Sequence, residues 1–474
     1  MSNLELCYLP ATRQIEMFRA HEISPLEVLD AQIARAEAIE PQVNAFTETF
    51  FDQARDQARI AGQTYLTRPD EARPLEGLTV GIKDEMDVEG QHNTIGSLIY
   101  KDNIATADHP VAARLRAAGA IFHARTTTPE FCCAWVTDSR LHGTTTNPWH
   151  KDYTCSASSG GSAASLAAGT SSLATGSDIG GSIRGPAAAC GVVGYKPPYG
   201  RIPDSPPFNL DTYNTVGPLA RTVADCALMQ NIMSGFHPSD IASLRDKMVI
   251  PMQHDGVKGL KIAYTMDVGN EVLADDVRHH TMAALDRLAD QGAILQEVDL
   301  GWTRETTYAA RDHLDFLFGF YLRHECEAHP DLVCDYTKFL AERSKTATPE
   351  KVFHAMEMAA KMYGSIGPVL EDAHAMICPV MITHELRADQ ALWDTMTVHG
   401  RVVDSDYEFS LLPQFNMLNR LPALAVPTGI AASGLPMGVQ IIGRSYDDPR
   451  VFRVAAALEK TTPFYDCAAR RPNL

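Results

Sequence analysis

Residues 156–191 restrict what this chain can fold into more than any other stretch. Of these 36 residues, 9 are serine, 9 alanine and 8 glycine, so 26 carry almost no side chain. Backbone in such a run can approach other backbone, or a ligand, far more closely than ordinary sequence allows. The composition is that of a flexible linker, but the order is not. Ser158-Ser159-Gly160-Gly161-Ser162 leads into Ala163-Ala164-Ser165-Leu166-Ala167-Ala168, a good helix former. Gly176-Ser177-Asp178-Ile179-Gly180-Gly181-Ser182-Ile183-Arg184 then places glycines beside serines, so that main-chain N–H groups can close on an anion. That anion is either a phosphate or the oxyanion of an acyl-transfer reaction.

The phosphate readings fail on spacing. No G-x-x-x-x-G-K-[ST] string occurs; Gly191-Val192-Val193-Gly194-Tyr195-Lys196 comes nearest and runs into Pro197-Pro198. A G-x-G-x-x-G fingerprint is also missing. Two common serine-enzyme patterns fail as well. The G-x-S-x-G elbow is absent around Ser158 and Ser182, and none of the 12 lysines follows a serine by three positions, which removes S-x-x-K.

Around this run the chain alternates strands and helices. Ser24-Pro25-Leu26-Glu27 is a capping box with proline at the first helical position, followed by a stripe of Leu26, Leu29, Ile33 and Ala36. Leu78, Val80 and Ile82 alternate as a strand with Lys83 at its end. Asp108 and Pro110 open a helix that stops near Gly119, and residues 121–124 read as the next strand. The same grammar returns in a strand at 260–264, a helix from Val277 to Gly292 and a strand at 293–298. Residues 302–365 read as mostly helical, and a last strand at 435–442 precedes a helix opened by Asp448-Pro449. Such alternation predicts an α/β fold with a largely parallel sheet, and with no convincing flexible linker or internal repeat the chain reads as one compact unit.

The charge sum, 41 − 59 = −18, disfavours phosphate backbones and anionic lipid, so neither nucleic acid nor a membrane is an expected partner. Ten cysteines without a C-x-x-C pair suit reduced thiols in the cytoplasm. The N-terminus lacks a basic, apolar leader, and no run approaches the ~18 apolar residues of a spanning helix.

The block Ser158–Ser162 followed by Gly176–Arg184 closely resembles the signature of the amidase signature family of amide hydrolases. Pro186-Ala187, Cys190 to Pro197, the lysine motif Gly81-Ile82-Lys83-Asp84, and Asn147-Pro148-Trp149 extend the resemblance. So do Gly217 to Asp225, Leu421-Pro422-Ala423 and Gly434 to Gln440, which cover most of residues 24–459 apart from a gap near 300–370. The resemblance implies one α/β/α unit spanning 1–474 around a large mixed, largely parallel sheet, with a divergent, mostly helical segment at about 300–370, and a Ser–cis-Ser–Lys triad: Ser182 as nucleophile, Ser158 as bridge and Lys83 as general base. It also implies an oxyanion site from the backbone N–H groups of Ile179, Gly180, Gly181 and Ser182, with Ser159, Asp178 and Arg184 supporting the loop, and neither metal nor cofactor. The chemistry is coherent, because a serine needs its proton removed as it attacks, and a lysine takes one only when neutral. The chain departs from the family in having Ser156-Ala157 where two glycines usually precede the serine pair, and Pro198 where a threonine is usual.

Cys132, Trp135 and Phe316 are the candidate pocket residues. His324, Cys326 and His329 do not share one helical face, so a metal site is not expected. The expected activity is hydrolysis of a small-molecule carboxylic amide, or a related ester, carbamate or hydrazide, through a seryl acyl-enzyme. One rival is the glutaminase-type component of a tRNA-dependent amidotransferase, although Gly185 stands where those proteins usually carry glutamine. The other is a non-catalytic scaffold. A homodimer is a base-rate expectation only.

Overall fold

The computed structural model describes residues 1–270 and 272–474. Local signals in the chain set several elements directly. Ser24 Oγ accepts from the Glu27 N–H while Glu27 Oε2 accepts from the Ser24 N–H, and this reciprocal cap starts the helix Pro25–Val43. Val28, Leu29, Ile33 and Ala36 form its buried face. At Pro110–Ala117 the cap is His109, whose Nδ1 accepts from the Val111 N–H, and not Asp108. Asp108 is held outside the helix start by Arg116.

Eleven strands form one sheet: β1 Phe46–Thr49, β2 Thr79–Lys83, β3 Ile121–Thr126, β4 Leu173–Ser177, β5 Val193–Lys196, β6 Val216–Ala220, β7 Lys261–Tyr264, β8 Ile294–Glu297, β9 Ala375–Pro379, β10 Ala423–Ile430 and β11 Pro436–Ile442. Their order is β1-β3-β2-β4-β6-β5-β10-β11-β9-β7-β8. Parallel pairing occupies two blocks, β3-β2-β4 and β9-β7-β8, which give four of the ten pairings. The six antiparallel pairings are β1 on β3 and the five across the middle. The reason is connectivity: β5 to β6 and β10 to β11 run on without a crossover α-helix, which parallel neighbours require. Strands β2, β4, β5, β6 and β9 are buried at every residue, so the middle of the sheet is covered on both faces.

The small-residue run forms the helix Gly160–Ala168, β4 and the helix Arg184–Cys190, all buried. Its composition reflects lack of space. A Cβ on Gly176 would lie 2.6 Å from Leu219 Cδ1 and 2.8 Å from Ser159 Oγ. The 302–365 segment is helical as expected: Arg304–Ala328, Asp335–Arg343 and Pro349–Asp372. Among the described residues no helix is long and apolar enough to cross a membrane.

Candidate active site

Lys83 ends β2 inside the protein, with no solvent exposure. Its Nζ donates to Ser158 Oγ at 2.8 Å and to Ser177 Oγ at 2.8 Å. Glu85, two residues on, brings Oε1 to 3.2 Å from the same nitrogen. Burial pushes the Glu85 carboxyl up, but the Lys83 charge and hydrogen bonds from Cys132, Ser177 and Lys83 outweigh it, so the carboxyl lies below its ordinary value. Neither Ser177 nor Glu85 is a sequence-derived candidate. Ser177 sits inside the recognised block and Glu85 directly follows the lysine motif, but neither residue type announces a role by itself.

Ser158 follows a cis peptide bond from Ala157 and is almost fully buried. Its neighbour Ser159 ties the two serine segments together. The Ser159 N–H donates to the Ser182 carbonyl at 3.1 Å. The Ser159 hydroxyl donates to the Ser177 carbonyl at 3.4 Å and accepts from the Ser177 N–H at 3.3 Å. Lys83, Ser158 and Ser182 are thus gathered from the end of β2 and the two ends of the small-residue run.

Asp178 organises the loop that carries Ser182. Its Oδ1 accepts from the Gly181 N–H at 2.9 Å, Arg184 Nη2 at 2.9 Å and Asn416 Nδ2 at 2.8 Å. Its Oδ2 accepts from Arg184 Nε at 3.0 Å and from the main-chain N–H groups of Ile183 and Arg184 at 3.2 and 3.4 Å. Burial raises the Asp178 carboxyl, and Arg184 and Asn416 more than reverse it, so it stays ionised below its usual range. Arg184, itself fully buried, spends its remaining donors on the Leu412 carbonyl, Gln440 Oε1 and Asn416 Oδ1. One expectation needs correcting. The Gly181 N–H is committed to Asp178, so it does not point free beside the other three. Among the described residues, the amides of Ile179, Gly180 and Ser182 donate to no protein acceptor.

Two adjoining cavities meet at this loop. A cavity of about 50 Å³ is bordered by Ser182, Gly180, Trp135, Leu314, Leu322 and Leu340. A second, of about 330 Å³, is bordered by Ser158, Ser177, Glu85, Phe131, Phe208 and Tyr321. Cys132, Ile179 and Phe318 belong to both walls. Cys132 thus borders both cavities and Trp135 the smaller one. The Cys132 thiol, pushed up to about 12 chiefly by burial, donates to Glu85 Oε2 at 2.9 Å. Phe316 borders neither cavity. Leu314, Phe318 and Leu322 recur every four residues on the inner face, and at ~100° per residue Phe316 is turned well away from them.

Comparison with known proteins identifies the family. The family model described as Amidase matches residues 27–314. An acylamidase of Rhodococcus erythropolis is 32% identical over 480 residues, covering 98% of each chain. A glutamyl-tRNA(Gln) amidotransferase component from Carboxydothermus hydrogenoformans is 31% identical, covering 99% of this chain and 100% of its own. A solved bacterial aryl acylamidase of the amidase signature enzymes superposes with a TM-score of 0.88 at 25% identity, covering 98% of this chain and 99% of its own. A buried lysine bonded to a serine, beside an Asp–Arg-braced Gly-Gly-Ser loop and inside a chain matched end to end by amide hydrolases, leaves one conclusion: the chain belongs to the amidase signature family and hydrolyses amide C–N bonds.

Proposed function

We propose that the whole chain works as an amidase that passes its substrate through an acyl-enzyme on Ser182, with Ser158 as bridge and Lys83 as base. The observation that carries this is the fully buried Lys83 Nζ at 2.8 Å from Ser158 Oγ, on a segment whose next residue holds the Ser182 carbonyl. As Ser182 Oγ attacks the amide carbon, its proton goes to Ser158 Oγ while the Ser158 proton goes to Lys83 Nζ. The amides of Ile179, Gly180 and Ser182 receive the carbonyl oxygen as it becomes an oxyanion. Glu85 Oε1, 3.2 Å from Lys83 Nζ, stabilises the ammonium that this transfer produces. Collapse of the intermediate breaks the C–N bond, and the relay run backwards protonates the leaving nitrogen. Water then attacks the ester by the same route and releases the carboxylate.

Intact mass after treatment with a fluorophosphonate tests the assignment. Wild type should gain one adduct and Ser182→Ala none, with Lys83→Met strongly slowed. An adduct that persists on Ser182→Ala refutes it. The amidotransferase relative supports a second reading, a glutaminase that delivers ammonia to a partner protein. Ammonia release from glutamine only in the presence of a copurifying partner would select that reading.

A further inference from the structure

We propose that the two cavities divide the substrate, the small one taking a short aliphatic acyl group and the large one an aromatic amine without negative charge. This inference rests on the roles of Ser182 and Ser158 given above. The leaving nitrogen takes its proton from the Ser158 side, so the amine half occupies the cavity that Ser158 borders. The acyl carbon is bonded to Ser182 with its oxygen on the loop amides, which directs the acyl chain into the cavity bordered by Ser182 and Gly180.

Size then separates the halves. An apolar cavity of about 150 Å³ holds one benzene ring. The acyl cavity, at about 50 Å³, admits a few carbon atoms and no ring. The amine cavity, at about 330 Å³, holds a ring with substituents. The walls agree. Trp135, Leu314, Leu322 and Leu340 make most of the acyl cavity apolar, and the charged pair in its wall, Arg343 with Asp315, is mutually bonded at 2.6 Å and so neutralised. Phe131, Phe208 and Tyr321 present aromatic surface to the amine cavity. Its charged lining, among the described residues, is Glu85, Asp87 and Asp204, with His109 bound to Asp204 at 2.9 Å and no lysine or arginine. A carboxylate carried by the amine would meet Asp87 and Asp204 there, while the nearest cation, Lys83 behind Ser158 and Ser177, is already paired with Glu85 at 3.2 Å.

The test is kcat/KM for acetanilide, hexananilide, benzanilide, acetamide and 4-carboxyacetanilide, with the fluorophosphonate adduct on Ser182 measured in the same preparations. Acetanilide should exceed each of the others by about tenfold or more. Leu340→Ala and Leu314→Ala each enlarge the acyl cavity, and either should raise hexananilide relative to acetanilide by about tenfold. Benzanilide or 4-carboxyacetanilide cleaved as well as acetanilide, or an acyl preference that neither variant moves, overturns the division. If the Ser182 adduct forms while selectivity is flat, the division fails and the nucleophile stands. Without an adduct, the nucleophile assignment fails and the division falls with it.

Discussion

Asp178→Asn should lower folding stability by about 3–5 kcal/mol, the cost of breaking a buried ion pair on one side. Three donors converge on each carboxylate oxygen of Asp178: Gly181 N–H, Arg184 Nη2 and Asn416 Nδ2 on one, Ile183 N–H, Arg184 N–H and Arg184 Nε on the other. An asparagine keeps one acceptor oxygen, so whichever way it turns, three donors face an NH₂ group, and Arg184 loses its ion-pair partner. Each unmet buried donor costs about 1–3 kcal/mol, a range the ion-pair figure already includes. The Gly181 tie also positions the amides on either side of it. Loss of one oxyanion donor's alignment predicts a kcat lowered about 100-fold with KM little changed, since that contact is made in the transition state. Denaturant unfolding followed by tryptophan fluorescence, together with steady-state kinetics, measures both effects. Stability within about 1 kcal/mol of wild type, or kcat within threefold, would refute the bracing role of Asp178.

Two neighbouring glycines should respond oppositely to alanine. At Gly181, with φ +126°, a Cβ would lie 2.5 Å from Leu412 Cδ1, so Gly181→Ala should displace the loop and abolish turnover. At Gly180 a Cβ meets nothing nearer than Leu314 Cδ1 at 3.7 Å, so Gly180→Ala should fold with wild-type thermal stability, as a melting curve would show. Glu40 gives a pH signature. Burial pushes its carboxyl from 4.5 to about 7, while Oε2 accepts from the Ala45 and Phe46 N–H groups and Oε1 has no partner among the described residues. Because the folded value lies above the unfolded one, its contribution is complete below 4.5 and is lost as pH rises through about 7. Glu40→Gln should therefore stabilise the protein at pH 8, by at most about 3 kcal/mol, and change little at pH 4. Equal melting temperatures for the two proteins at pH 8 would contradict this.

Much of the fold was legible in the residues because its causes are local. The reciprocal cap of Ser24 and Glu27, the alternation that ends at Lys83, and the glycine–serine block around Ser182 act through neighbours a few positions away, and each appears where the chain places it. The order of the motifs along the chain was enough to name the family. What the chain alone does not decide depends on contacts between distant segments. Ser158 and Ser177 reach the Lys83 nitrogen across 75 and 94 residues. The antiparallel middle of the sheet follows from connections that skip a helix, which periodicity within single strands does not report. Rotation of the Arg304–Ala328 helix, set by packing, turns Leu314, Phe318 and Leu322 toward the site and leaves Phe316 aside. Hydrogen bonding commits the Gly181 amide to the nearby Asp178 carboxylate, itself held in place by Arg184 and Asn416, and so separates it from its neighbours on the loop. Residue types and their spacing assigned the chemistry, and tertiary packing chose which atoms are free to perform it.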